Sequence, residues 1–302
     1  MDTKSKIVLI SGPTASGKSK FALSLAKKIN GEIINADSMQ VYKELQILTA
    51  RPLKKDQKNI QHHLYGFLSV KKNFSTGEWQ KLATKKINEI KKKNKIPILV
   101  GGTGLYFKSL IDGFTKIPKI PIKFRNKVRN FQKKIGQEKF YKKLLKLDIL
   151  IKNKINPNDI QRSIRAYEVK SYTKVSLYKW FSNTVKNYKD EDFVKIYINY
   201  PRADLIKKIR LRVDEMFKKG AIQEVKKFIK LKVIKDRTSN KVIGIGEIRK
   251  YLGNQENLDH IKDLIVIKTR QYAKRQITWA RGHMYSWKKI DPSDLASFIK
   301  KI

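Results

Sequence analysis

The chain has 302 residues, 40% of them hydrophobic, with 69 Lys and Arg against 26 Asp and Glu and a formal net charge of +43. That length and apolar content suffice for a large domain with a real core and exclude a basic disordered tail, while the charge points to a polyanionic partner, nucleic acid first. Cysteine is absent, which removes disulfide frameworks, thiolate zinc sites and iron–sulfur centres and suits a cytoplasmic location. Of the 69 basic residues 56 are Lys and 13 Arg, so part of the excess is read as solvated Lys-rich faces.

The first apolar run, IVLI at 7–10, is too short for a signal-peptide core or a membrane span, and no membrane segment is expected elsewhere. It is β-branched, leads into SGPTASGKS, and is followed by apolar residues at Phe21, Ala22, Leu25, Ala26 and Ile29. The pattern predicts strand, loop and amphipathic helix. Asn30 and Gly31 suit the helix stop, and 32–36 (EIINA) predicts a second strand carrying Asp37 at its carboxyl end. A third buried strand is expected at 96–100, closed by Gly101 and Gly102, and a fourth at 193–200, after which Pro201 opens a helix through Leu205, Ile209, Val213 and Phe217. Strands alternating with helices imply an α/β fold, a P-loop parallel sheet flanked by helices. Between 116 and 192 the strand signal vanishes. There Pro118 and Pro121 lead into Lys-rich segments with helical spacing at Phe140, Leu144 and Leu145, which predicts a helical insertion at 116–192 within a core of 1–115 and 193–302. Residues 258–287 predict a last basic helix bearing Tyr272, Trp279, Tyr285 and Trp287.

Gly12, Pro13, Thr14, Ala15, Ser16, Gly17, Lys18 and Ser19 satisfy G-x-x-x-x-G-K-[ST] between strand and helix, the nucleotide-binding or ATP-binding P-loop pattern. Its glycines let backbone N–H groups wrap a phosphate, Lys18 supplies a mobile charge, and Ser19 can ligate Mg²⁺. An NTPase would also place a metal-holding Asp at the end of a second buried strand, whereas 96–100 ends in Gly-Gly-Thr-Gly. That turn either brings backbone and the Thr103 hydroxyl to a ligand or is simply tight. Asp37, with Ser38 and Gln40, lies on the ligand-binding edge of the predicted sheet, where it could accept a proton, hold a metal-bound water or cap a helix. On the last helix Arg270, Lys274 and Arg281 fall near one face with Arg275 offset, as contacts for diphosphate or RNA or as a solvated basic face, and Tyr272, Ile277 and Trp279 are free to pack elsewhere. His62 and His63 lack a third ligand at metal spacing and read as structural or substrate-contacting.

The blocks GPTASGKS, NADSMQVYKELQILTARP, HHL, FSTGEW, ILVGGTGLYFKSLIDG, NPNDIQRSIRAYEV and TRQYAKRQITWAR follow one another in one order, and from about 7 to 287 the chain resembles bacterial tRNA dimethylallyltransferases. The resemblance implies transfer of a dimethylallyl group from its diphosphate to N6 of the adenosine 3′ of the anticodon, in tRNAs that read codons beginning with U. The P-loop would then hold an isoprenoid diphosphate with Mg²⁺ in place of ATP. Carried over by motif, Lys18, Asp37 and Thr103 would be catalytic, with Asp37 taking the hydrogen bond or proton from N6. Asp37, Ser38, Met39, Gln40, Thr103, Arg125, Gln161, Arg162, Ser163, Ile164 and Arg165 would contact tRNA. A monomer is expected by the same resemblance. Leu48 and the Ile245-Gly246 pair depart from the usual blocks without touching Lys18 or Asp37, and with no cysteine the zinc-finger arm of eukaryotic relatives is not expected. Two alternatives stand beside this one: an isopentenyltransferase acting on free adenine nucleotides, and a P-loop ATP-dependent RNA-binding protein.

Overall fold

The β-branched runs become strands of one sheet. The computed structural model describes residues 6–57, 59–113 and 115–301. In chain order the elements are β1 (Ile7–Ser11), α1 (Lys18–Lys28), β2 (Gly31–Asn35), α2 (Lys54–Gln57), β3 (His62–His63), α3 (Thr76–Lys92), β4 (Ile96–Gly101), α4 (Gly104–Ile111), α5 (Ile122–Ile135), α6 (Gln137–Leu147), α7 (Ile160–Thr173) and α8 (Leu177–Ser182). There follow β5 (Phe193–Ile198), α9 (Arg202–Lys218), α10 (Ala221–Lys230), α11 (Ile245–Leu252), α12 (Leu258–His283), β6 (Lys288–Ile290) and α13 (Leu295–Lys300). No helix among the described residues is long and apolar enough to cross a membrane.

Two compact units result, one of residues 1–111 and 188–302, the other of 112–187; the sequence reading set these limits at 115/116 and 192/193. In the first unit the six strands run parallel in the order β3-β2-β4-β1-β5-β6. Strand side chains alternate between faces. Ile7 and Leu9 therefore pack with Trp79, Ala83 and Phe107 on one side, while Val8 and Ile10 pack with Phe21 and Leu25 on the other. Both faces are buried, which is why these strands read as unbroken apolar runs. A third cluster joins α9 to α12 with Val41, Tyr42, Leu45 and Leu48. Because β2, β4 and β1 are neighbours pointing the same way, the segments leaving them converge at one carboxyl edge.

Some elements differ from their predicted extents. β2 begins at Gly31, which pairs with Ile96, and a Cβ there would lie 2.6 Å from Ile98 Cδ1, so only glycine starts this strand without displacement. β5 stops two residues early, where the Asn199 N–H turns to the Ile290 carbonyl of β6. β6 itself, just beyond the predicted basic tail, has a single buried residue, Ile290, and so no alternation to read. The two-residue strand β3 was equally invisible; there His63 Nε2 meets Glu32 Oε2 at 2.7 Å and His62 Nδ1 faces the Ile60 carbonyl, a structural role for the pair.

The second unit is helical. Tyr141, Leu144, Ile151, Ala166, Val169 and Leu177 form its core, extended by Val128, Phe140 and Ile164. Gly136 separates α5 from α6 at φ 77°, and the Asp159 and Ser176 side chains cap α7 and α8.

Candidate active site

The P-loop wraps a turn that only small residues permit. Gly17 takes φ 83° at the N-cap of α1, Ala15 sits at φ 65°, and a Cβ on Gly12 would lie 3.2 Å from the Ile198 carbonyl oxygen. The α1 amino end therefore opens toward a cavity of about 590 Å³ lined by Thr14, Ala15, Gly17, Lys18, Ser19 and Lys20, joined by Asp37, Met39 and Gln40. Ser16 is buried with an Oγ that has no hydrogen-bond partner. Lys18 Nζ donates to the Pro13 carbonyl at 3.1 Å. Burial draws the Lys18 ammonium down to about 8; Asp37 opposes that fall and Arg212 adds to it.

Asp37 is the negative centre of this edge. Its Oδ1 accepts from the Met39 N–H at 2.9 Å, and its backbone is fixed by Asn35, whose Oδ1 takes the Asp37 N–H at 2.8 Å. The Ser38 N–H donates to Thr103 Oγ1 at 2.9 Å, so the hydroxyl of the Gly-Gly-Thr turn holds the residue next to Asp37. The glycines of that turn answer to packing. A Cβ on Gly101 would meet the Ala36 carbonyl oxygen at 2.0 Å, one on Gly102 the Gln276 amide at 2.0 Å, and one on Gly104 the Trp279 ring at 2.2 Å. The close approaches of this turn are to protein, as the tight-turn alternative has it, and the strand end that carries an acid in NTPases here accommodates a neighbouring backbone.

Two residues the sequence did not single out, Gln276 and Arg212, and one it placed elsewhere, Tyr272, complete the site. The Thr14 N–H donates to Gln276 Oε1 at 2.8 Å and Gln276 Nε2 donates to the Gly102 carbonyl at 3.0 Å, tying the P-loop to the glycine turn through α12. Arg212 of α9 donates to Thr14 Oγ1 at 3.1 Å, and burial lowers its guanidinium pKa with Asp37 acting against the fall. Tyr272, expected to pack elsewhere, lines the cavity within hydrogen-bonding reach of Gln276 and Thr103; burial first and the Asp37 charge second push its hydroxyl pKa up. Tyr65 and Tyr106 are raised for the same two reasons in the same order. Of the basic residues on α12, Arg275 lines this cavity, whereas Arg270, Lys274 and Arg281 line a second one of about 660 Å³. The same cavity is also lined by apolar side chains, Leu48, Leu211, Val213, Met216, Val242, Ile243 and Ile265.

In the helical unit Gln161 and Arg162 are exposed on α7 and Arg165 is half-buried, with Arg125 half-buried on α5. Ser163 and Ile164, expected to touch RNA, turn inward. Ser163 is fully buried and accepts from Gln137 Nε2, and Ile164 packs with Val128 and Phe140, because a helix cannot present five consecutive residues to one side.

Among the described residues no group of three or more His, Cys, Asp or Glu side chains is placed to hold a metal ion. Mg²⁺, however, needs few protein donors when phosphate oxygens and water supply the rest. The Ser19 hydroxyl, which lines the cavity, is a fitting hard oxygen donor.

A family model described as IPP transferase matches residues 40–283. The chain is 64% identical over all its 302 residues to a tRNA dimethylallyltransferase of Pelagibacter ubique, covering 96% of that protein, and 48% identical over 280 residues to one of Rickettsia massiliae, covering 92% of this chain and 77% of that protein. The fold is similar to the crystal structure of a tRNA isopentenylpyrophosphate transferase from Bacillus halodurans, with a TM-score of 0.70, 33% identity and coverage of 99% and 95% of the two chains. It is also similar to a eukaryotic dimethylallyltransferase solved acting on tRNA, with a TM-score of 0.83, 28% identity and coverage of 97% and 75%.

Proposed function

This chain belongs to the IPP transferase family, and from that premise we propose that it transfers a dimethylallyl group from dimethylallyl diphosphate to N6 of the adenosine 3′ of the anticodon in tRNAs reading U-initial codons. The observation that carries this reading is the composition of one cavity, lined by P-loop residues, Arg212 and Asp37 together with apolar side chains such as Leu48, Met216 and Ile265. An isoprenoid diphosphate has a charged head and a branched hydrocarbon tail, and this lining offers partners of both kinds.

In the reaction the C1–O bond to diphosphate breaks, the N6–C1 bond forms, and N6 gives up a proton. Adenine N6 is a weak nucleophile because its lone pair is delocalised into the ring, so catalysis rests on orienting it and on stabilising the departing diphosphate. The P-loop N–H groups, Lys18 and Arg212 supply fixed positive charge where negative charge develops on oxygen. Asp37 accepts the N6 proton, and Thr103, through Ser38, keeps the Asp37 segment in place. Ser19 would hold Mg²⁺, which when bound supplies further neutralisation of the diphosphate. A stacked anticodon-loop base cannot reach this cavity, so the adenosine must be extruded into it. The helical unit, with Arg125, Gln161, Arg162 and Arg165 on its accessible side, grips the RNA backbone, and the protein acts as a cytoplasmic monomer.

The test is to incubate the protein with Mg²⁺, dimethylallyl diphosphate and an unmodified tRNA transcript, with AMP and ADP as parallel acceptors, and to weigh the digested nucleosides. Dimethylallyl-adenosine from tRNA alone is expected; product from AMP or ADP instead would place the chain among nucleotide-modifying enzymes. Affinity for tRNA should also fall on the order of 10³-fold when salt is raised about fourfold, because each Lys or Arg bound to a phosphate displaces counterions. A flat response in a filter-binding titration would mean that the +43 charge is only solvated.

A further inference from the structure

Glu168 of α7 is 1% exposed and sits amid three arginines. Arg125 Nε donates to its Oε2 at 3.1 Å, Arg129 Nε lies 3.7 Å from Oε1, and Arg165 Nη1 lies 3.6 Å from Oε2. Oε1 accepts no hydrogen bond. The arginine side chains remain 37%, 42% and 40% exposed. One arginine would neutralise a buried carboxylate, so three leave a local charge of +2, and their mutual repulsion opposes the arrangement. Arg165 registers this crowding: burial lowers its pKa first, Glu168 acts against the fall and Arg125 adds to it. The chain has only 13 arginines among 69 basic residues, and three of them share this one carboxylate. Arg125 spends one N–H on Glu168, while Arg129 and Arg165 stand at ion-pair distance from it with their N–H groups left for another acceptor. A guanidinium oriented in this way matches a phosphate bidentately, which a lysine ammonium cannot do.

We infer that Glu168 is a positioning residue whose carboxylate holds Arg125, Arg129 and Arg165 as a preformed three-guanidinium clamp for RNA backbone phosphates, with Arg129 a phosphate-binding member. The inference rests on the proposal above that the helical unit grips tRNA. It assigns Glu168 a task opposite to its charge: an acid that strengthens binding to a polyanion, because ordering three arginines beforehand lowers the entropic cost of the contact.

The full-length protein carrying Glu168→Gln tests this. The substitution keeps volume and an acceptor oxygen but makes the protein more positive, so electrostatics alone calls for equal or tighter tRNA binding. Positioning calls for the reverse. Kd and KM for tRNA should rise about tenfold, while kcat at saturating tRNA and KM for dimethylallyl diphosphate stay within about twofold. Binding as tight as that of the unaltered protein would overturn the inference. Arg129→Gln guards against a folding defect, since this side chain is half-exposed and Glu168 keeps two partners. It should raise KM for tRNA and reduce the slope of log affinity against log salt by about 0.7–0.9, and an unchanged slope and KM would remove Arg129 from the clamp and sink the proposal as stated. If Arg125, Arg129 and Arg165 all replaced by Gln left tRNA binding intact, the RNA-gripping reading itself would fail, separately from the role of Glu168.

Discussion

Asp37→Asn should lower kcat by ~10²–10⁴, the scale of a positioned acid–base group, while leaving KM for tRNA nearly unchanged. Asparagine preserves the Oδ1 acceptor that takes the Met39 N–H, so the turn after β2 should survive and the loss should be chemical. The sign of a second effect separates this from misfolding. Asp37 is the acidic residue lining a cavity that also holds Lys18, Lys20, Lys208, Arg212, Lys241 and Arg275. Removing its charge makes the cavity more positive, so KM for dimethylallyl diphosphate should stay level or fall as kcat collapses. Single-turnover rates with saturating tRNA, measured beside equilibrium binding of both substrates, give the two numbers. Alkyl transfer at a rate comparable to that of the unaltered enzyme would take Asp37 out of the mechanism.

The parts of the site contributed by loops at strand ends were legible in the sequence, because their residue types are dictated locally. A P-loop needs Gly12, Gly17 and Lys18 in a fixed order, and a carboxyl strand end announces Asp37. The parts contributed by helices were not. Arg212 on α9 and Gln276 on α12 lie 198 and 262 residues from the P-loop residue Thr14 that they touch, Tyr272 shares α12 with Gln276, and nothing local tells which face of a basic helix turns to a cavity. The sorting of Arg275 from Arg270 and Lys274 into different cavities follows the helical wheel, on which Arg275 already stood apart in the sequence; which of the two faces turns to the P-loop cavity is fixed only by the burial of Ala273 and Ala280. The fold followed a similar division. β1, β2, β4 and β5 are apolar on both faces and were found to within two residues, but β3 and β6 sit at the sheet margins with two and three residues, too short for a period. Glu168 escaped notice because within IRAYEVK it is an ordinary helical glutamate; only burial against α5 makes it the hub of an arginine cluster.

Lys18→Met should reduce kcat/KM for dimethylallyl diphosphate by ~10²–10³, the cost of removing one preorganised positive group from a site where oxygen charge develops. The unaltered enzyme carries a pH signature of the same residue. With its ammonium drawn down to about 8 by burial, with Asp37 opposing and Arg212 assisting, Lys18 in the free enzyme loses its proton above that pH, and kcat/KM should fall there. Bound diphosphate restores the preference for the charged form, so the corresponding limb in kcat should lie at higher pH. Stability of the ligand-free protein should move the other way. The folded state holds this proton less tightly than the unfolded chain, whose lysine titrates at about 10.4. Between about 8 and that value the unfolded state binds more protons, so the penalty for burying the Lys18 charge is complete below about 8 and is relieved as pH rises across this window, and stability rises there. Lys18→Met should lose both features together, the falling alkaline limb of kcat/KM and the rising alkaline limb of stability in denaturant titrations. A limb in kcat/KM that persists in the variant would assign it to another group and leave Lys18 as a charge that never titrates in the working range.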